Sequence, residues 1–487
     1  MRPESPSAPL ARDTVGSMPD RIDADPDEAT IWALERRPGE TLRACLERIL
    51  RDAIREGSLR PGVELPASRR LAAQLGVSRG VASDAYAELE AQGYLHLVPR
   101  QPPVVAEVPD RPQGATVPTR APQTAVRFDM KPTAPDVTLF PRHQWASALA
   151  AAVREASATA LDYGDARGTP ELRETLADEL GRTRGVICEP SQVIIVQGAG
   201  QGIDLTLRAL KDVGARRIAV EDPSLDRQHQ QVAGLGLELV GQPVDHDGLI
   251  VDGLKADAVI VSPAHQFPTG AVLSGARRRE LISWSRATGG LVIEDDYDAE
   301  FRFDREPVRA LQGLHPNGVV YLGTTSKTLA PALRLGWLVV PDALVERLAA
   351  VKVLLDDFSP TLEQLALARL IERGHYQRHI RKARGVYRSR RDRLIAALAQ
   401  RFAELHVAGV AAGLNVTLNL PGKLDDRELE QLALAAGIRL EALSRYAITD
   451  RGRRGLVMGY GRLHESAIEP AVTALRAAIG PRLDQTR

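Results

Sequence analysis

From about Arg127 onward, short apolar runs alternate with longer amphipathic stretches. Val193-Ile194-Ile195-Val196, Ile218-Ala219-Val220, Ala258-Val259-Ile260-Val261, Leu291-Val292-Ile293 and Val319-Val320-Tyr321-Leu322 read as buried strands. Helical patterns fall between them, as at Gly202 to Val213 and Gly275 to Thr288. That alternation predicts a mostly parallel sheet wrapped by helices. After Arg334 the pattern changes to long helices over Leu362 to Phe402, strands near Leu414 to Leu420 and Leu456 to Tyr460, and a closing helix over Glu465 to Ile479. This tail predicts a smaller α+β subdomain.

Upstream, Ile31 to Ala106 is dense in helix formers and then turns β-like. Leu65 to Tyr86 encodes two short helices with Gly76 at the turn between them and Ser78 as N-cap of the second. Leu71, Leu75, Val77, Val81, Ala85 and Leu89 supply their apolar face, which leaves Arg69, Arg79 and Ser83 pointing outward. Gly93 to Val105 reads as a β-hairpin. Glu107 to Thr124 lacks apolar periodicity and is rich in proline, the composition of a semi-extended linker. The expected organisation is a disordered extension at 1–30, a DNA-binding unit at 31–106, a linker at 107–126 and a large domain at 127–487. Within the last, a large subdomain covers about 150–340 and a small one about 341–487 with part of 127–149.

Composition narrows the choice of chemistry. The formal net charge is zero, so nucleic-acid binding must come from a local patch. Residues 31–100 hold eleven arginines against nine acids, a small surplus. Cys45 and Cys188 lie far apart without metal or redox spacing, which points to a reduced, cytoplasmic setting and no metal. No apolar stretch is long and clean enough to span a bilayer.

Positive charge is carried almost wholly by arginine; lysine stands only at 131, 211, 255, 327, 352, 382 and 423. Lys327 follows a buried strand within Gly323-Thr324-Thr325-Ser326-Lys327, with Arg334 seven residues on. Such a lysine can condense with an aldehyde while the arginine clamps a phosphate, the usual way of holding pyridoxal phosphate. Asp295, in Ile293-Glu294-Asp295-Asp296-Tyr297, ends another buried strand, where a carboxylate can keep a pyridine nitrogen protonated. Gly198-Ala199-Gly200 opens a helix with small residues whose N–H groups can face a phosphate.

Two resemblances attach to these residues. Gly57-Ser58-Leu59-Arg60-Pro61-Gly62, Ser68-Arg69-Arg70-Leu71-Ala72, Val77-Ser78-Arg79 and Leu89-Glu90-Ala91-Gln92-Gly93-Tyr94 resemble the winged helix of the GntR family of bacterial regulators. The resemblance implies DNA contacts by Arg69 and Arg79, and the capping Ser78 and the outward Ser83 join them as DNA-binding candidates. The wing departs from the family's Gly-x-Gly tip with Pro99-Arg100-Gln101-Pro102, where Arg100 is placed to meet a minor groove or a phosphate.

Residues 127–480 resemble the fold-type I aminotransferases. Together with the winged helix, His265-Gln266-Phe267-Pro268-Thr269-Gly270 and Glu294-Asp295-Asp296-Tyr297-Asp298 are similar to the MocR subfamily of regulators. The resemblance implies that Lys327 forms the internal aldimine, Asp295 pairs with the ring nitrogen and Tyr297 bonds the ring oxygen. Ser326 and Arg334, with Gly198, Ala199 and Gly200, would hold the phosphate. Tyr163, in Tyr163-Gly164-Asp165-Ala166-Arg167-Gly168, matches a tyrosine that reaches the partner subunit's site, which implies a homodimer, domain-swapped in the regulators.

Two positions depart from the catalytic pattern. Leu225 stands where an aromatic commonly stacks on the ring, and Phe267 where catalytic relatives carry an asparagine. Arg227 and Arg454 are candidates for an effector carboxylate, with a surface role competing for Arg454. The function these features imply is a pyridoxal-phosphate-dependent regulator that binds an operator in double-stranded DNA and senses a small amine, an amino acid or the cofactor itself. The competing reading is a working aminotransferase with an appended winged helix.

Overall fold

The structure, a computed structural model, describes residues 34–107, 125–303, 308–409, 412–450 and 452–485. The expected extension at 1–30 and nearly all of the expected linker lie outside the described residues. Those described form two compact units, one over 34–107 and one from 125 onward.

The first unit packs α1 (Leu42–Arg55), α2 (Ser68–Leu75) and α3 (Arg79–Ala91) against an antiparallel pair, β1 (Leu95–His96) and β2 (Val104–Val105). Gly76 ends α2 in the left-handed conformation (φ 64°), a position that glycine fills without strain. Ser78 caps α3 by accepting the Val81 N–H at 3.3 Å. Leu46, Leu50, Leu71, Ala82, Ala85, Tyr86, Leu89, Leu95 and Val105 form the core. Leu75, Val77 and Val81, expected in the apolar face, are only half-buried, and Ala82 and Tyr86 take the inner positions.

In the second unit, β3 (Phe128–Asp129), α4 (Arg142–Glu155) and α5 (Pro170–Arg184) come first. The main sheet and its crossovers follow as β4 (Val193–Val196), α6 (Ala199–Asp212), β5 (Arg217–Asp222), α7 (Asp226–Gly234), β6 (Glu238–Asp245), β7 (Gly248–Leu249), β8 (Ala258–Val261), α8 (Gly275–Thr288), β9 (Leu291–Asp296), β10 (Val319–Thr324) and β11 (Gly336–Val339). Helices α9 (Asp342–Asp356), α10 (Thr361–Glu372) and α11 (His375–Arg401) lead to a smaller layer. That layer comprises β12 (Val407–Ala408), β13 (Asn415–Leu420), α12 (Asp426–Ala435), β14 (Ile438–Arg439), β15 (Glu441–Ala442), β16 (Arg454–Gly459) and α13 (Glu465–Asp484).

The eight-stranded sheet has the order β4-β11-β10-β9-β8-β5-β6-β7. Its centre is parallel, while β11 runs antiparallel to both its neighbours. The apolar runs are continuous because both faces are covered. Ile194, Val196, Ile293 and Leu322 pack on one side with Ile203 and Leu207 of α6, while Val193, Ile195, Tyr321 and Trp337 pack on the other with α5 and α10. The small layer is a four-stranded sheet, β12-β13-β16-β15, with its own core against α11 and α13 that also takes in Phe128 and Met130.

Candidate functional site

Strands β9 and β10 are parallel neighbours, with Leu322 in register with Asp295. Asp295 therefore sits near the carboxyl end of one strand and Lys327 three residues beyond the other, at the edge of the sheet where α/β folds place ligands. Three consecutive acids end β9, and their partners separate them. Glu294 accepts the N–H groups of Leu311 and Gln312 at 2.9 and 3.1 Å. Asp296 pairs with the buried Arg184 at 2.8 Å and accepts the Tyr321 hydroxyl at 2.6 Å. Asp295, on the other side of the strand, accepts one bond from Gln228 Nε2 at 3.2 Å through Oδ2, and its buried Oδ1 has no partner. Burial, reinforced by Asp296 and Asp298, pushes the Asp295 carboxyl up to about 7 against the pull of Lys327.

Lys327 Nζ donates to the Thr133 carbonyl at 2.7 Å. Burial lowers its pKa below that of an ordinary lysine, opposed by the charges of Asp298 and Asp295. Tyr297 is buried, and its hydroxyl donates to the His265 carbonyl at 3.1 Å. His265 Nδ1 stands 3.0 Å from Asp298 Oδ2 and 3.1 Å from the same hydroxyl, which leaves its buried Nε2 without a partner. Burial, with the nearby carboxylates, holds the Tyr297 phenol well above its usual pKa, so it acts as a hydrogen-bonding group.

The glycine-rich turn forms a cradle. Gly198 has φ 87°, and a Cβ there would stand 3.1 Å from the Arg334 guanidinium, which also donates to the Gln197 carbonyl. At Gly200 a Cβ would lie 2.0 Å from Arg227 Nη2. Two guanidinium groups thus lie over the first residues of α6, beginning at Ala199, where the helix dipole also favours an anion. Ser326 Oγ accepts from Thr324 Oγ1 at 2.9 Å at the Lys327 turn. An orphaned carboxylate oxygen, a half-buried lysine and a cationic cradle with no room for side chains fit a protonated pyridine ring, an aldehyde and a phosphate respectively.

The remaining expected residues divide. Phe267 is buried edge-on against Tyr446, with ring centroids 4.8 Å apart, and Leu225 packs into the same cluster with Tyr297, Leu443 and Val457. Tyr163 is 87% exposed and lies edge-on to Phe358. Arg227 comes to the cradle. Arg454, the second expected effector contact, forms an ion pair with Asp450 at 2.9 Å. The cause is strand alternation: Arg454 shares its side of β16 with Leu456 and Met458, which pack into the helix-covered core, whereas Val457 faces the Phe267 and Tyr297 cluster. Residues that sequence reasoning missed are Gln228 and Thr133, which reach Asp295 and Lys327 through long-range hydrogen bonds and carry no local motif.

In the first unit Arg69 is exposed near the start of α2, and Arg79 is exposed at the first position of α3, the second helix of the helix-turn-helix. Ser83, expected to point outward, is half-buried, because on α3 it neighbours the inward stripe of Ala82 and Tyr86. Arg100 is exposed in the turn between β1 and β2 at φ 68°, the conformation in which the family pattern uses glycine.

Residues 136–456 match the family model for aminotransferase class I and II, and residues 42–105 that for bacterial regulatory proteins of the gntR family. The HTH-type transcriptional regulator YhdI of Bacillus subtilis is 32% identical over 92% of this chain and 98% of its own. The pyridoxine biosynthesis regulator PdxR of Corynebacterium glutamicum is 31% identical over 88% and 94%, and the probable rhizopine catabolism regulatory protein MocR of Rhizobium meliloti 29% over 91% and 95%. Among solved structures, the α-aminoadipate aminotransferase LysN of Thermus thermophilus, complexed with N-(5'-phosphopyridoxyl)-L-leucine, superposes with a TM-score of 0.67 at 25% identity, covering 74% of this chain and 93% of that one. Among the described residues no helix is long and apolar enough to cross a membrane. The chain belongs to the MocR-type transcriptional regulators, in which a gntR-family DNA-binding unit precedes a domain of the class I and II aminotransferase family.

Proposed function

We propose that this regulator holds pyridoxal 5'-phosphate at Lys327 and reads there a small amine, an amino acid or the cofactor itself. The observation that carries the reading is Asp295 Oδ1, a buried carboxylate oxygen with no partner on the strand beside the one that leads to Lys327. Burying an acceptor unmet is costly, and a ring N–H meets it. In this reading Lys327 attaches the aldehyde, Asp295 takes the ring nitrogen and Tyr297 the ring oxygen. Ser326, Arg334, Gly198, Ala199 and Gly200 hold the phosphate, with Arg227 over the same glycines ready for an anionic group of cofactor or effector. Bound there, the cofactor supplies an aldehyde that condenses with amines and a ring that accepts electron density.

Phe267 and Leu225 present hydrocarbon to the site, where a hydrogen-bonding or stacking group would tune the ring for turnover. That favours sensing over catalysis. Arg69 on α2 and Arg79 on α3, with Ser78 fixing the start of α3 and Arg100 at the wing, would contact operator DNA. The exposed Tyr163 supports a homodimer whose partner site it completes, swapped head to tail.

Two measurements test the reading. Purified protein should carry a visible cofactor band that borohydride abolishes, lost in Lys327→Ala. It should also retard DNA from its own upstream region, with Arg79→Ala as control. Sustained transamination between an amino acid and a keto acid would instead favour an enzyme.

A further inference from the structure

Strands β13 and β16 pair antiparallel, with Asn415 opposite Gly459 and Thr417 opposite Val457. Residues directly opposed in such a pair point to the same side of the sheet, and so do residues two apart on one strand. Three contacts show that this side faces the Lys327 site. Thr417 Oγ1 donates to the Pro268 carbonyl at 2.7 Å, and Val457 packs with Phe267 and Tyr297. A Cβ on Gly459 would stand 2.1 Å from the carbonyl oxygen of Lys131, two residues before the Thr133 that receives Lys327.

On this wall Asn415 is 0% exposed, and neither its amide nitrogen nor its amide oxygen has a partner. A buried primary amide with both ends unmet forgoes its hydration without return, and in folded proteins such groups are rare. Thr417 is satisfied, Val457 and Gly459 are apolar, and Arg454 belongs to the opposite side of β16. The wall is therefore neutral, with one donor and acceptor pair waiting.

We propose that Asn415 is the specificity-determining residue for the effector, and that it grips the far end of a short primary amine bearing a neutral group that both donates and accepts, a carboxamide or a hydroxyl. A carboxylate accepts only; it would satisfy the amide nitrogen and leave the amide oxygen unmet. The inference rests on the sensing role proposed for Lys327, because it assigns the part of the amine that the lysine does not touch.

The test uses full-length protein loaded with pyridoxal phosphate. β-Alaninamide, β-alanine and propylamine, each with its homologues one carbon shorter and longer, are titrated while the visible cofactor band is followed. The unaltered protein should bind the best-fitting carboxamide about tenfold more tightly than the matching alkylamine, the effect of one well-made hydrogen-bonded pair. In Asn415→Ala and Asn415→Leu that preference should fall to within about twofold while alkylamine affinity and the cofactor band stay unchanged. Leucine fills the space of the amide without its polar atoms, so this variant should keep or raise the melting temperature, which separates lost recognition from lost folding. A preference that persists in both variants, a preference for the carboxylate, or none in the unaltered protein overturns the assignment while the sensing role stands. If no amine shifts the band of the unaltered protein, amine sensing at Lys327 falls and takes this inference with it, leaving the cofactor itself as the ligand that is read.

Discussion

Lys327 Nζ donates a hydrogen bond of 2.7 Å to the carbonyl of Thr133, a residue that holds φ 56°. A threonine in the left-handed region is uncommon and strained, and here its backbone turn carries the carbonyl that parks the lysine. Thr133→Gly keeps that carbonyl and removes the strain, so it should retain borohydride-sensitive cofactor capture and gain on the order of 0.5–1 kcal/mol in denaturant unfolding. Lys327→Ala should lose the capture altogether.

Asp295 should make the cofactor-free protein sensitive to pH in a known direction. Its carboxyl is raised from an ordinary value of 3.8 to about 7, so the folded state binds the proton more tightly than the unfolded chain. Stability from this group is fully present below the ordinary value and is lost as pH rises toward 7. Asp295→Asn removes the penalty, so the variant should be more stable than the parent at pH 8, by on the order of 2 kcal/mol, with the difference closing toward pH 4. Loss of a counter-charge for Lys327 trims the gain. Unfolding curves of cofactor-free protein at the two pH values check the sign, and cofactor titration should show weaker binding to the variant.

The parts of this fold that were legible in the sequence are those decided locally. Strands β4, β5, β8, β9 and β10 announce themselves because burial on both faces demands an unbroken apolar run. Strand β11 opens with Gly336, a residue depleted in strands, and β6 mixes Pro243 with half-exposed positions, so neither yields a clear pattern. Lys327 and Asp295 were readable because strand ends are where ligands meet such sheets. Arg454 is ambiguous between effector and surface roles in the sequence because the side of β16 it takes shows only in the folded sheet, and Asn415 is silent because its meaning lies in partners it does not have.

The cradle makes a prediction about phosphate alone. Gly198 needs φ 87°, and any Cβ there would press on the Arg334 guanidinium at 3.1 Å. Gly198→Ala should therefore strain the turn by about 1 kcal/mol or more and push the arginine off its seat. Affinity for pyridoxal phosphate should fall several-fold, while affinity for pyridoxal, which lacks the phosphate, should change little. Equal losses for the two ligands would mean that the cradle serves folding rather than the phosphate.

Ser78 and Arg79 are neighbours with separable tasks. Ser78 closes the start of α3 through the Val81 N–H, so Ser78→Ala should destabilise the first unit by about 1 kcal/mol, read as an earlier unfolding transition. Arg79 is exposed at the first position of the helix, so Arg79→Ala should leave that transition within about 0.5 kcal/mol of the parent. Its effect should appear in DNA binding. A base-reading arginine costs about 1–3 kcal/mol on its own operator and relaxes preference for one base pair, whereas a phosphate contact weakens every sequence alike and lowers the salt slope by about one. Titrating operator and scrambled duplexes at two salt concentrations distinguishes the two. Since the start of a recognition helix lies deepest in the major groove, the expected result for Arg79→Ala is lost discrimination with the salt slope little changed.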